Sequence, residues 1–292
     1  MKLGDFYKKV VALGSERDPR PDKKNIRAYA DTAILHGDPE KQVKKILIGI
    51  DIEVAELLLA DRLRQKQGLD LVIAHHPEGR AFANLHEVMQ VQVDILEKIG
   101  VKRRLAQEML TERMQEVQRR ILPNNHTRPV DAAKLLDLAY MCMHTPADNH
   151  AFSFVKSLME TKKPKTVEEI VDILMEVPEY EQAAGYDCGP RVILGNPNRN
   201  PGKILVEMTG GTEGPKEIFE NLYKAGVRTL VSMHLSEEHF KKVKDANLNV
   251  VIAGHISSDT LGLNLLLDRI EAQAKERFQF TCCSGFYRIS RT

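Results

Sequence analysis

The 292-residue chain has no tryptophan and only 5% aromatic residues, which removes the usual base-stacking platform of a single-stranded nucleic-acid binder. Its formal net charge is +1, so no global field gathers a polyanion and any such contact needs a local patch. No run of about 18 apolar residues is present to span a bilayer. The opening MKLGDFYKKVVALGSERDPR lacks the apolar core and small-residue cleavage site of a secretory signal, and a cytoplasmic protein is expected. Cysteine is sparse: Cys142, Cys188, Cys282 and Cys283 show neither C-x-x-C spacing nor the density of a disulfide scaffold, as befits free thiols in a reducing compartment. What is present, 42% hydrophobic and 28% charged residues, suffices for one large core or two smaller ones.

The first forty-odd residues are polar, with ERDPRPDKKN forming a proline-broken loop between two short helix-like pieces. KILIGI at 45–50 is of strand length and β-branched, and VAELLLADRLRQKQG follows with Val54, Leu57 and Leu58 on one helical face before Gly68. DLVIAHH is the next strand, completing a β-α-β unit that implies a mainly parallel sheet with covering helices. One helix is expected over 85–99, and another over 101–122 that Pro123 ends. Thr166 followed by Glu169 fits a capping box, and the Pro, Gly and Asn-rich stretch 185–202 reads as a linker or irregular hairpin. From Gly202 the first pattern returns: GKILVEMTGGTEGPKEIFENLYKAGVRTLVSMHLSEEH parallels KKILIGIDIEVAELLLADRLRQKQGLDLVIAHHPEG, the mark of an internal duplication. NVVIAGH adds a strand, a long amphipathic helix follows, and FQFTCCSGFYRI closes the chain as edge strand and tail.

Why does DLVIAHHPEG stop on two histidines? Ligands of open α/β sheets gather at the carboxyl ends of strands. Adjacent strand side chains point to opposite faces, so His75 and His76 serve one site only where the chain leaves the strand, as Pro77 directs. Taken alone, such a pair is as readily structural as ligating. Two further pieces change the balance. GHISSD carries His255 and Asp259 at i and i+4, against the plain alternative of an Asp favouring a helix N-terminus. HTPAD supplies His144 and Asp148, whose plain alternative is an Asx-turn.

A strand ending HHP, a later HTxxD and a carboxy-terminal GHxxxE-like motif together resemble the NIF-three-like family, over residues 46–271. The resemblance implies an α/β fold of two intertwined repeats with mixed sheets, a two-metal site in the cleft between them, and a homo-oligomer, commonly a toroidal hexamer. It makes His75 and His76 ligands to the two metals, Asp148 the carboxylate that bridges them and His255 a further ligand. Asp259 stands where the family has a glutamate; one methylene shorter, it needs a closer helix or leaves one metal weakly held. His144 becomes a group that orients Asp148 or a bound water. Two departures mark a divergent branch: the tryptophan-containing opening segment has no counterpart, and the distance from His76 to Asp148 is long. The first repeat then occupies 1–150 with a helical insertion at about 101–143, and 151–292 holds a middle segment and the second repeat.

A His and carboxylate set suits two ions of Zn, Mn, Fe or Co better than Ca or Mg. The expectation is a metal-dependent hydrolase, similar to proteins labelled type 2 GTP cyclohydrolase homologues, whose metal-bridging hydroxide attacks a phosphoester or nucleotide-like small molecule. The alternative is a non-catalytic regulatory or scaffold protein acting through protein partners. Glu78 is the candidate general base, with a solvated loop glutamate as its plain reading; His234, His150 and Glu238 are rim candidates. MTGGTEG is either an anion cradle at a helix N-terminus or a turn needing positive φ. The segment 101–129 carries seven Lys or Arg against three Glu, which reads first as a solvated helix face; nucleic acid is not expected.

Overall fold

The structure is a computed structural model and describes residues 1–291. Nine strands appear among the described residues: β1 (Ala33–His36), β2 (Lys45–Gly49), β3 (Leu71–Ala74), β4 (Tyr140–Cys142), β5 (Arg191–Leu194), β6 (Lys203–Glu207), β7 (Val227–Ser232), β8 (Asn249–Ile252) and β9 (Gln279–Cys283). They form two mixed sheets, ordered β1-β4-β3-β2-β9 and β5-β8-β7-β6. The runs β4-β3-β2 and β8-β7-β6 are parallel, and the strand beside β4 or β8, namely β1 or β5, runs antiparallel with a register shift near its centre.

Alternation along these strands feeds two cores per sheet, because successive side chains leave opposite faces. In the first sheet Leu47, Val72 and Tyr140 join Leu57, Ala60 and Val130 on one face. Ile46, Ile48, Ile73 and Met141 join Phe6, Val10 and Leu266 on the other. In the second, Leu205, Leu230 and Val250 pack on Leu110, Phe219 and Leu222, while Val206, Val231 and Val251 pack on Phe152, Val155 and Leu174. Each such aliphatic residue, fully buried, contributes about 1.5–3 kcal/mol.

The two halves are intertwined through their long helices. The helix Thr145–Lys162 leaves the end of β4 in the first sheet, yet its Phe152, Val155 and Met159 cover the second. The helix His255–Ala274 leaves β8 in the second sheet, yet its Leu263, Leu266, Leu267 and Ile270 cover the first. The two helices pack against each other. At their crossing a Cβ on Gly262 would stand 2.5 Å from the carbonyl oxygen of Ala147, so only glycine allows the approach.

Several local expectations change on folding. The polar start holds a long helix, Leu3–Arg17, and the strand β1. The stretch 85–99 splits into helices Leu85–Val88 and Val91–Ile99. The 185–202 segment contains β5, paired with β8. Thr166 caps its helix by accepting from the Glu169 N–H at 3.1 Å, but the Glu169 carboxylate accepts from the N–H of Lys165 rather than closing the box on Thr166.

Candidate metal centre

At the end of β3 the N–H of His75 donates to Gly49 and Ile50 carbonyls and that of His76 to Ile50. The backbone leaves the strand here, and both imidazoles lie on one side, their ring centroids 5.3 Å apart. His144 follows β4 and its ring lies 4.9 Å from that of His75. His255 follows β8 and lies 5.2 Å from His76.

Each of the first three histidines is oriented through Nδ1. That of His75 faces the Met143 carbonyl at 3.2 Å, that of His76 the Asp51 carboxylate at 2.6 Å, and that of His144 the Asp31 carboxylate at 2.8 Å. These partners only accept, so each Nδ1 carries a proton and Nε2 is the nitrogen that faces the common centre, free to bind a cation once its own proton is displaced. Asp31 is fixed in turn by the hydroxyl of Thr145 at 2.6 Å. Asp31 and Asp51 were not singled out by sequence reasoning. Asp51 sits beside a strand end and carried that weak signal, whereas Asp31 lies in a polar stretch whose approach to His144 is purely tertiary.

The carboxylates come from the two exchanged helices. Asp148 lies in the first turn of its helix, Asp259 one turn into the other. Asp148 Oδ1 is 3.3 Å from His75 Nε2, and its Oδ2 is 3.7 Å from His144 Nε2. Asp259 Oδ1 is 3.4 Å from His75 Nε2, whereas its Oδ2 is 3.4 Å from His76 Nε2 and 3.5 Å from His255 Nε2. Asp259 thus faces three histidines through its two oxygens, and Asp148, the carboxylate expected to bridge, faces two, His75 and His144. Gly262, at the close helix crossing, lies three residues beyond Asp259. Three groups result whose ligand atoms lie within 4.8 Å of one another: His75, His76, His144; His76, His255, Asp259; and His75, Asp148, Asp259.

The chemistry of these atoms suits a cation. His75 Nε2, Asp148 Oδ1 and Asp259 Oδ2 are buried without a hydrogen-bond partner; their mutual contacts have ion-pair distances but not hydrogen-bonding angles. Buried polar atoms are normally satisfied, and a cation is the partner that takes nitrogen and oxygen lone pairs together. The electrostatics agree. Burial opposes a charge on His75, but Asp259 and Asp148 outweigh it and push its pKa up to about 10; on the half-buried His76 desolvation is likewise outweighed, and Asp259 and Asp51 push it up to about 9. Burial would raise Asp259, yet His75, His76 and His255 hold it well below the usual carboxylate range. The carboxylates thus draw positive charge to the centre, and metal binding replaces such protons.

A cleft of about 530 Å³ opens over this centre, lined by His76, His144, His234 and His255 and walled by Glu53, Glu78 and Arg128. Burial, then the nearby Glu53, pushes Glu78 up to about 7. The His234 ring lies 4.7 Å from that of His255, tilted by 57°, with Glu213 beside it at 3.7 Å. His150 is turned away, buried against the Pro146 carbonyl, and Glu238 pairs with Lys216 on the surface. Gly210 and Gly211 both have positive φ, and the carbonyls of Gly210 and Thr212 accept from the Gln92 amide. Only short helical turns, Lys216–Ile218 and Phe219–Lys224, follow, so the MTGGTEG segment is a pinned turn at the cleft rim. The stretch expected as a helical insertion at about 101–143 is helical over Arg103–Ile121 and Arg128–Leu135 but ends in β4, an inner strand of the first sheet; it reaches the cleft, because the His126 carbonyl accepts from the N–H of Gly79, just beyond the HHPE segment, at 2.8 Å.

No family model and no curated protein matches the sequence. Solved structures do. A NIF3 superfamily protein from Sphaerobacter thermophilus aligns with TM-score 0.76 and 27% identity over 94% of this chain and 97% of that one. Reduced HcgD from Methanocaldococcus jannaschii aligns with TM-score 0.56 and 14% identity over 97% of both chains. The hypothetical protein SA1388 from Staphylococcus aureus aligns with TM-score 0.52 and 13% identity over 97% and 96%. The last two share the fold; the first, at 27% identity, and the convergence of HHP, HTPAD and GHISSD on one cleft support reading the chain as a divergent NIF3-like protein.

Proposed function

We propose that the chain holds two divalent transition-metal ions and is a metal-dependent hydrolase of phosphoester or nucleotide-like small molecules. The observation that carries this reading is the split of Asp259, one oxygen toward His75 and the other toward His76 and His255. His75 and Asp148 would complete one set, His76 and His255 the other, with His144 at the border of both. The donor set suits Zn, Mn, Fe or Co, and such ions would supply Lewis acidity and an activated water.

The chain's own residues supply the rest. His75, His144, Asp148 and Asp259 are buried, whereas the half-buried His76 and His255, with the edge of His144, line the cleft, leaving room for a substrate as a catalytic rather than a structural site requires. Glu78 lines the same cleft, where it can accept a proton from water or return one to a leaving group. Arg128, paired to Glu53 at 2.5 Å across the mouth, offers a guanidinium to an anionic substrate group.

The test is metal content by mass spectrometry on protein purified without chelator or affinity metal, with hydrolysis of bis(p-nitrophenyl) phosphate measured on the same samples. The expected result is about two ions per chain and turnover that Asp259→Ala abolishes. A metal-free parent, or an Asp259→Ala variant that keeps its metal, overturns the reading.

A further inference from the structure

The two sheets share strand order and direction over four strands but not at the end. In the first, β9 lies parallel along β2, from Lys45 beside Gln279 to Gly49 beside Cys283. In the second, nothing lies along the corresponding strand β6, which ends the sheet. Among the described residues, no backbone hydrogen bond from outside the sheet reaches residues 204–207. A row of peptide N–H and C=O groups is thus left without a strand partner, and proteins ordinarily cover or blunt such an edge.

The space where a fifth strand would lie is a groove of about 790 Å³ running along residues 202–206. Ile95 and Ile99 wall it from one helical layer and Phe152 and Met159 from the other. A strand laid there would bury side chains against both layers, as Phe280 and Cys283 of β9 pack on the two cores of the first sheet. The rim carries Arg17, Lys23, Lys98, Lys156, Lys163 and Lys203 against two acids, Asp18 and Glu160. Asp18 is paired with Arg20 and Glu160 with Lys156, which leaves the groove positive.

We propose that the open edge of β6 binds an extended acidic peptide rich in apolar residues, which adds to the second sheet as its fifth strand. Ladder hydrogen bonds supply the affinity, and the lysine rim and apolar walls select the sequence. A peptide is favoured over nucleic acid because the groove offers a strand edge and a single aromatic side chain, Phe152, rather than a row of stacking faces. The site lies away from the metal centre and does not depend on it.

The test uses the full-length protein and fluorescein-labelled pools of ten-residue peptides built from Glu, Val, Ile, Leu and Tyr in random order, followed by fluorescence anisotropy. Binding is expected for this pool and not for one with Lys in place of Glu. N-methylating alternate backbone nitrogens, in both registers, is expected to weaken binding at least about tenfold in one register by removing ladder bonds. The double variant Lys98→Glu, Lys156→Glu is expected to weaken it by a similar factor, with metal content and melting temperature unchanged. The proposal falls if the pool does not bind, if both methylated pools bind as well as the parent pool, or if the double variant binds unchanged. It also falls if sedimentation shows that the protein self-associates and that the double variant abolishes this, because the edge then pairs with a second copy.

Discussion

The two sheets are built on one strand order, yet their carboxyl ends carry different side chains. After β3 come His75 and His76; after β7, in the same place, come Met233 and His234. After β4 the chain reads His144, then Asp148 four residues on; after β8 it reads His255, then Asp259 four residues on. Each half thus supplies one H-x-x-x-D helix start, but the paired histidines belong to the first alone, and the second has Glu213 behind His234. A shared backbone fixes where ligands can stand, and a few side chains decide which half carries most of them. The sheet edges differ in the same way, closed by β9 in one and open at β6 in the other.

The two H-x-x-x-D motifs give the largest test of this comparison. Asp259→Ala is expected to strip both ions, because its carboxylate reaches both histidine sets, whereas Asp148→Ala removes the ion nearer His75 and spares the other; metal per chain measured on both variants checks it. Equal losses would make the halves equivalent. At the sheet edges, Phe278→Ala should cost about 3–5 kcal/mol, since Phe278 is 8% exposed and packs edge-on against Phe6 at 5.5 Å. Ile204→Ala at the half-buried open edge should cost no more than about 1–2 kcal/mol. Urea unfolding of the two variants compares the edges directly.

Smaller effects separate the orienting groups. Asp51→Asn or Asp31→Asn should lower metal affinity by about 10–100-fold, read by chelator competition, with the fold kept. The smallest concerns Glu213. Burial would raise its pKa, but His234 at 3.7 Å, the hydrogen bond from the Ser236 N–H and the nearby His239 pull it from 4.5 down to about 2. A carboxylate depressed in the folded state stabilises above its ordinary value, and that stability drains away as pH falls from 4.5 toward 2. Glu213→Gln should therefore flatten the acid limb of the melting temperature below pH 4.5 and leave it higher relative to neutral pH than in the parent.

Much of this was legible in the sequence. Apolar runs of strand length at 45–50, 71–74 and 249–252 announced the parallel strands, and the histidines at the ends of the last two, His75, His76 and His255, pointed to the cleft, because strand period and strand-end position are local properties. Glu78 and His234 were likewise readable from their distance to a strand end. What was not legible depends on contacts between distant segments. The antiparallel strands β1 and β5 are short and sit in polar or Pro-rich surroundings, so their pairing to β4 and β8 supplies the signal that their own residues lack. The approach of Asp259 to His75 and His76 is a contact between distant segments, as is the close crossing of Gly262 over Ala147, and neither partner hints at the other. The reach of Asp31 to His144 is of the same kind, 113 positions apart.

The exchange of long helices has a consequence for how the molecule comes apart. Melting the first sheet releases the helix that lids the second, and melting the second releases the helix that lids the first. Neither half keeps a closed apolar interior once the other is lost, so a free-standing half is not an accessible intermediate. Calorimetry should record a single heat-absorption peak whose van't Hoff and measured enthalpies agree, in a molecule whose two sheets would otherwise suggest two.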